Sequence, residues 1–455
     1  MNTEVGLVMK KLSTYMAGAL EEAVPTAVAE KAKHHILDTL GAMVSGTRLR
    51  PGQFAIRYIR KQGGLPEALV VGSDVITSAV NAALANGMLA HADETDDSHA
   101  PSLTHPGCAV IPAALAMAEK NSCSGESLLR AVVLGYDIGC RTTRALGVEL
   151  LECAYRSTHT IGGQFGAAAA AGALAGLNSL QVQYLLSYIV QQASGIRCWV
   201  RDEEHIQKAF VFGGMPAHNG VMAATMASEG FTGVSDALSG SRNFFEAFSP
   251  DPDPEIMTWD LGKHYEISLT NIKKWPVGSP IQAAIDAVLE LRSKYNLEPS
   301  NVKKVVIKLP TDDMVQTVDN RKMPDINLQY CVATTLIDGH LTFDVTQDYS
   351  RMNEPEVLRM RNRIELVKGD EFEGVNPGRQ AIAEITTYDG HSLSARVRAV
   401  RGTADNPMER VEVIEKASDL LVPVLGEDRA QELIDQIMNL EELESVSDLR
   451  PLLRG

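Results

Sequence analysis

The sequence predicts a mainly α protein, built as a large all-helical domain and a smaller α+β domain. Three observations predict this. Apolar residues recur at three- and four-residue spacing from Thr3 to about Tyr265, the texture changes to period-two alternation beyond Leu269, and helical spacing returns near the end of the chain. A chain of 455 residues also exceeds the size at which one hydrophobic core stops growing.

Taken in order, "AVAEKAKHHILDTLGAMVSG", "SAVNAALANGMLAHADETDD" and "GESLLRAVVLGYDIGCRTTRAL" read as amphipathic or buried helices separated by Gly and Pro. After them, "SPIQAAIDAVLELRSKY" reads as a helix and "NVKKVVIKLP" as a strand. "AIAEITTYDGHSLSARVRAV" reads as a β-hairpin turning at Asp389-Gly390. The closing "RVEVIEKASDLLVPVLGEDRAQELIDQIMNLEEL" is helical again. The expected division is residues 1–267 for the helical domain, 268–402 for the α+β domain, and 403–455 for C-terminal helices returning to the first. No fixed-period repeat or low-complexity linker interrupts the chain.

A formal net charge of −16 repels nucleic acid and anionic membranes, so neither is expected as a partner. An anionic ligand would need its own local cluster of Lys, Arg and His against that background. The N-terminus lacks a basic segment followed by an apolar one, and the apolar run Ala167–Leu177 is too short to span a bilayer. The expectation is a soluble, cytoplasmic protein. Six scattered Cys without a CxxC pair point to reduced, mostly buried thiols.

The stretch "HADETDDSHAPSLTHPG", His91 to Gly107, packs three His, three Asp and one Glu into seventeen residues. On a helix continued through His91, Glu94 and Ser98 are neighbours, and His105 arrives from the loop holding Pro101 and Pro106. A carboxylate, a hydroxyl and an imidazole together suit proton transfer. Two alternatives stand beside this: a helix end of solvated acids, and a divalent-metal site, although no recognised ligand spacing is present. "YRSTHTIGGQFGAAAAAGALAGL" sets His159 at the Gly-rich entrance to a small-residue helix. That entrance is either a weak anion-binding signal or a surface for close helix packing. Lys208 precedes a Gly-Gly, Lys273 falls at the presumed domain junction, and Tyr330 is either functional or a core tyrosine with a bonded hydroxyl.

The order of these segments resembles the MmgE/PrpD family over nearly the whole chain. The resemblance rests on "HADETDDSH…THPGCAVIPAALAMAE", "GGQFGAAAAAGALAGL", "QKAFVFGGMPAHNG", "IKKWPVGSPIQAAIDA" and "MPDINLQYCVATTLIDG". That family includes 2-methylcitrate dehydratases, cis-aconitate decarboxylases and iminodisuccinate epimerases. The resemblance implies a homodimer without metal or organic cofactor, in which a helical domain and a smaller lid domain enclose an active-site cleft. It implies catalytic roles for Glu94, His105, His159, Lys208, Lys273 and Tyr330, with Ser98 and Ser279 binding substrate. Two positions depart from the family pattern: His159 lies three residues nearer the "GxFG" signature than the family's central His, and Gly278 stands where the family has a His.

Substrates of such a family are di- or tricarboxylates that react at a carbon next to a carboxylate. Proton removal there develops negative charge on the carboxylate oxygens, which calls for a base and for cations placed where the charge grows. Glu94 or His159 is the expected base, and Lys208, Lys273 and His105 the expected carboxylate holders. The expected function is a cofactor-independent lyase, with an epimerase or isomerase, or a non-catalytic carboxylate-binding protein, as the alternatives.

Overall fold

The computed structural model describes residues 5–372 and 379–455. It is mainly α, with 61% of the chain helical. The chain divides into two compact units. The first holds the described residues within Met1–Ala92, Asp96–Asn271 and Arg410–Gly455, and the second those within Asp93–Thr95 and Ile272–Glu409.

The first unit is helical apart from two short antiparallel ladders. One joins β1 (Ala68–Leu69) to β2 (Ile76–Thr77), the other β3 (Ser98–His99) to β4 (Thr270–Asn271). At its centre the helix Thr158–Leu174 is buried along its whole length. Its glycines explain how. A Cβ on Gly166 would stand 2.6 Å from the Gly135 carbonyl oxygen, and one on Gly139 would stand 2.6 Å from that of Gly162. Two Gly-x-x-x-Gly faces thus let this helix and the helix Gly125–Leu146 touch backbone to backbone. "GGQFG" is therefore a packing surface within a helix and not a phosphate loop. The same burial commits the small residues from Ala167 to Ala173 to contacts inside this unit. The C-terminal helix Arg410–Leu425 packs on Thr26–Gly46, where Lys416 pairs with the buried Asp38.

The second unit is built on a four-stranded sheet in the order β6 (Ile364–Lys368), β5 (Val302–Leu309), β7 (Ala381–Thr387), β8 (Ser392–Val397). β5 runs parallel to β6 and antiparallel to β7, and Val305 faces Ile364 and Ile385 in register. The β7–β8 hairpin turns where the sequence placed Asp389-Gly390, with Gly390 at φ +93°, a conformation that favours glycine. Val305, Ile307, Leu309, Ala383 and Ile385 join one apolar core with the helices Gln282–Tyr295 and Leu328–Asp338.

One local expectation fails. The helix Ala79–Ala90 does not continue through His91, which caps it at φ −119° and ψ 39°. Residues beyond it leave the helix, and Ser98 sits on β3, so the shared helical face of Glu94 and Ser98 does not exist. The physical reason is competition: the carboxylates that follow accept backbone N–H groups and side chains elsewhere.

Candidate active site

The acids after Ala90 are not solvated. Asp93, Glu94, Asp96 and Asp97 are 3, 5, 0 and 0% exposed, which eliminates the helix-end reading of this stretch. Burying a carboxylate is costly unless it is hydrogen-bonded or paired. Each of the four has a distinct set of partners. Asp93 accepts from the backbone and hydroxyl of Thr95 at 3.0 and 2.7 Å, and from Gln347 Nε2 at 3.3 Å. Glu94 faces Lys273, whose Nζ lies 2.8 Å from the Glu94 carbonyl oxygen and 3.4 Å from Oε2. Asp96 Oδ2 lies 2.8 Å from His91 Nδ1 and 3.3 Å from His105 Nδ1. Asp97 accepts from Gly107 N at 3.0 Å, from the Tyr136 hydroxyl at 2.6 Å and from His35 Nδ1 at 2.8 Å. Adjacent acids thus do different work: Asp96 orients two imidazoles, and Asp97 fastens the start of the helix Gly107–Lys120.

The first unit gathers imidazoles around one phenyl ring. Phe212 lies in a π-helical segment, Phe210–Gly214, and is 1% exposed. Its ring stacks on His159 at 4.0 Å and on His91 at 4.5 Å, with interplanar angles of 17° and 21°. His105 lies 5.1 Å from His159 and 5.3 Å from His91, centroid to centroid, and His205 lies 5.1 Å from His91. Trp199 meets His159 and Phe212 edge-on. The Lys208 ammonium sits over both aromatic rings, 5.2 Å from Phe212 and 5.5 Å from Trp199.

This setting decides the state of His159. Burial first, then the neighbouring His105, Lys208 and His91, push its imidazole well below the usual range, while Asp96 acts in the opposite sense. His159 is therefore neutral at physiological pH. Among the described residues, its buried Nδ1 finds no hydrogen-bond partner. An unsatisfied buried nitrogen calls for an explanation, and a substrate group is one.

The second unit holds a different set. Lys273 is 2% exposed and bound to Glu94, and Arg379 lies within electrostatic reach of the same carboxylate. Burial pushes the Arg379 guanidinium down to about 10 and Glu94 lifts it, so it stays cationic at neutral pH. Lys274, by contrast, is half-buried, over the ring of Trp275 at 5.1 Å. Tyr330 is a core residue of this unit: its hydroxyl donates to the Val345 carbonyl at 2.7 Å, and burial pushes its pKa up. Ser279 is half-buried in the turn ahead of the helix Gln282–Tyr295, and Ser98 is buried on β3. Gly278 is not demanded by the backbone, because a Cβ there would come no nearer than an ordinary 3.4 Å to any atom, Ile326 Cγ2, with the Asp325 carbonyl oxygen and Pro280 Cδ at 3.9 Å.

Of the residues expected from sequence, the structure brings His105, His159 and Lys208 together in the first unit, and pairs Glu94 with Lys273 in the second. His91, Asp96, Trp199, His205, Phe212 and Arg379 were missed. A Phe directly before Gly-Gly looks like core from sequence, and an Arg after "NPG" looks like a solvated loop. His91, Asp96 and His105 are close enough to hold an ion. Asp96 hydrogen-bonds His91 Nδ1 at 2.8 Å and stands in ion-pair contact with His105 Nδ1 at 3.3 Å, and we read it as orienting the two rings.

The N-terminal domain of the MmgE/PrpD family matches residues 10–257, and its C-terminal domain matches residues 275–442. The chain is similar to the cis-aconitate decarboxylase-like protein oryM of Aspergillus oryzae, 24% identical with 100% of this chain and 98% of that one covered. It is also similar to the cis-aconitate decarboxylases of Homo sapiens and Mus musculus. These are 28 and 25% identical, covering 94% of this chain and 90 and 89% of theirs. The two family domains together span most of the sequence, and the chain belongs to the MmgE/PrpD family.

Proposed function

We propose that this MmgE/PrpD-type enzyme is a cofactor-independent lyase, a dehydratase or decarboxylase, acting on a citrate- or aconitate-like di- or tricarboxylate. It works by proton transfer at a carbon next to a carboxylate. The observation that carries the reading is His159, a buried neutral imidazole with no carboxylate on its Nδ1, beside the Asp96-bound ring of His105. Two titratable groups in contrasting environments are the signature of an acid–base pair. In dehydration His159 takes the α-proton and His105, with a carboxylate to stabilise a proton on its ring, delivers one to the leaving hydroxyl; in decarboxylation no α-proton is removed, and the electron pair freed by the departing carbon dioxide takes a proton from His105. Lys208, and Lys273 and Arg379 in the second unit, are the cations assigned to substrate carboxylates. The names of the relatives support a lyase.

Gly278 favours a second reading, an epimerase or isomerase, since returning the proton to the same carbon needs no help for a leaving group. The test uses chelator-treated protein incubated in deuterated water with a panel of di- and tricarboxylates. The lyase predicts deuterium at the α-carbon together with alkene or carbon dioxide. Exchange without net product replaces it by the isomerase, and no exchange with any acid leaves a carboxylate-binding protein. Activity lost on chelation and restored by one divalent ion would remove the cofactor-free reading.

The proposal includes a cytoplasmic homodimer, as the family resemblance implies. No helix among the described residues is long and apolar enough to cross a membrane. Tyr155 and Ile196, 75 and 61% exposed and joined through the Arg197 N to Tyr155 O hydrogen bond, offer apolar surface for a second copy. Sedimentation showing only a 49.2 kDa species at micromolar concentration would contradict the dimer.

A further inference from the structure

We propose that Phe212 is a positioning residue, a ring inserted between His159 and His91 that keeps His159 away from the Asp96 carboxylate and so preserves it as a carboxylate-free base. The inference rests on the acid–base reading of His159. Two imidazoles nearly parallel to one phenyl ring, at 4.0 and 4.5 Å from its centroid, cannot share a single face of that ring. Phe212 therefore lies between them. On one side His91 is held by Asp96, which also holds His105. On the other, His159 has no carboxylate, and Trp199 closes its edge.

The ring is fixed by its own backbone. A Cβ on Gly213 would stand 2.0 Å from the Gly87 carbonyl oxygen, and one on Gly87 would stand 2.4 Å from that of Gly213, so the π-helical segment rests directly on the helix that ends at His91. The preceding residue, Val211, accepts from the Thr160 hydroxyl at 3.0 Å, one residue along from His159. The two imidazoles and the spacer between them are thus referenced to the same backbone contacts. A π-turn shifts the helical register by one residue, which aims the ring where a regular helix would not. With the spacer gone, His159 relaxes toward His91 and Asp96, and a nearby carboxylate stabilises its protonated form.

The charged and titratable groups facing His159 are His105, Lys208, His91 and Asp96. The separations from His91 and Asp96 are the ones expected to change in Phe212→Leu, and the nearer carboxylate is expected to outweigh the nearer imidazole. The experiment follows the histidine ring nitrogens by NMR without substrate, with His159 assigned from the His159→Asn spectrum, alongside the pH profile of kcat/KM. In the native protein the His159 ring stays neutral at pH 7. In Phe212→Leu it takes up a proton at higher pH, and the acidic limb of the profile moves up by about one pH unit, on the order of a tenfold loss below it. Phe165→Leu is the control. It removes an equally buried phenyl, packed on Phe244 at 4.9 Å, and loses stability without moving the His159 titration.

Equal shifts in the two variants, or no shift in Phe212→Leu, overturn the proposal. A native His159 protonated at pH 7 overturns it without any variant, and Phe212→Met replaces Phe212→Leu if the latter does not fold. The NMR reading needs no turnover, so a panel of acids that all fail to react sinks the proposed function and leaves this measurement to stand or fall by itself.

Discussion

The histidine cluster of the first unit and the Glu94–Lys273 pair of the second solve opposite problems. In the first, imidazoles are packed against aromatic rings, and a single acid, Asp96, holds two of them. Desolvation there strips a proton from His159. In the second, an ammonium is paired with one carboxylate and a guanidinium lies within electrostatic reach of it; burial lowers the guanidinium to about 10, which leaves it charged at neutral pH. A site that moves a proton needs groups whose two forms lie close in energy; a site that holds an anion needs charge that persists. On the proposed function, the difference matches proton transfer in the first region and charge binding in the second.

The sharpest way to break that assignment is His159→Asn. We expect kcat to fall by about two to four orders of magnitude, the usual worth of a general base, with folding unchanged. A loss confined to KM would move His159 into the binding set and erase the contrast between the regions.

The effect of burial on an imidazole is checked away from the chemistry at His35, which is pushed down to about 4 by burial, with Asp97 acting against it. Between about pH 6.5 and pH 4 the unfolded chain binds a proton at His35 that the native chain refuses, so native stability falls as pH falls through that window. Relative to His35→Gln the native protein should lose on the order of 3 kcal/mol across it. Asp38, pushed up to about 6 by its own burial, titrates in both proteins and cancels from the difference. Parallel denaturation curves at all pH values would mean that His35 is not held neutral.

The third expectation concerns the charge-binding side. Lys273→Ala should cost at least about tenfold in kcat/KM, and Lys274→Ala little. It also leaves Glu94 buried without the ammonium, so stability falls as well. Adding Glu94→Gln should restore stability and not activity. If the double variant regains activity too, Lys273 only neutralises Glu94 and binds no substrate.

The second unit was more legible in the sequence than the segment that carries the acids. β5 and the β7–β8 hairpin follow from alternation and from Asp389-Gly390, signals contained in a dozen residues. The end of the helix at Ala90 is not signalled locally, since Ala, Leu and Met run up to it and no Gly or Pro follows. What stops it are partners far along the chain, such as Tyr136 and Gly107 for Asp97 and Lys273 for Glu94. Phe212 was invisible for a different reason: periodicity assumes a regular helix, and the π-turn at Phe210–Gly214 breaks that assumption where the ring is placed. Tyr330 admitted two readings from sequence, and the Val345 carbonyl explains its hydroxyl without a ligand.

The pairing of Lys416 with Asp38 has a consequence for how the protein is born. The residues that complete the first unit are separated in the chain by the whole of the second, Ile272–Glu409. Asp38 leaves the ribosome early, whereas its cation emerges only with the last tenth of the polypeptide. Until then a carboxylate meant for the interior has no counter-charge, and the apolar face of Thr26–Gly46 lacks the helix that covers it. The inserted unit has its own continuous core apart from residues 93–95, so it can consolidate while its host waits. The expected consequence is a nascent stage in which the later-made unit can be complete while the earlier-made one still lacks its closing helices, with the apolar face of Thr26–Gly46 uncovered.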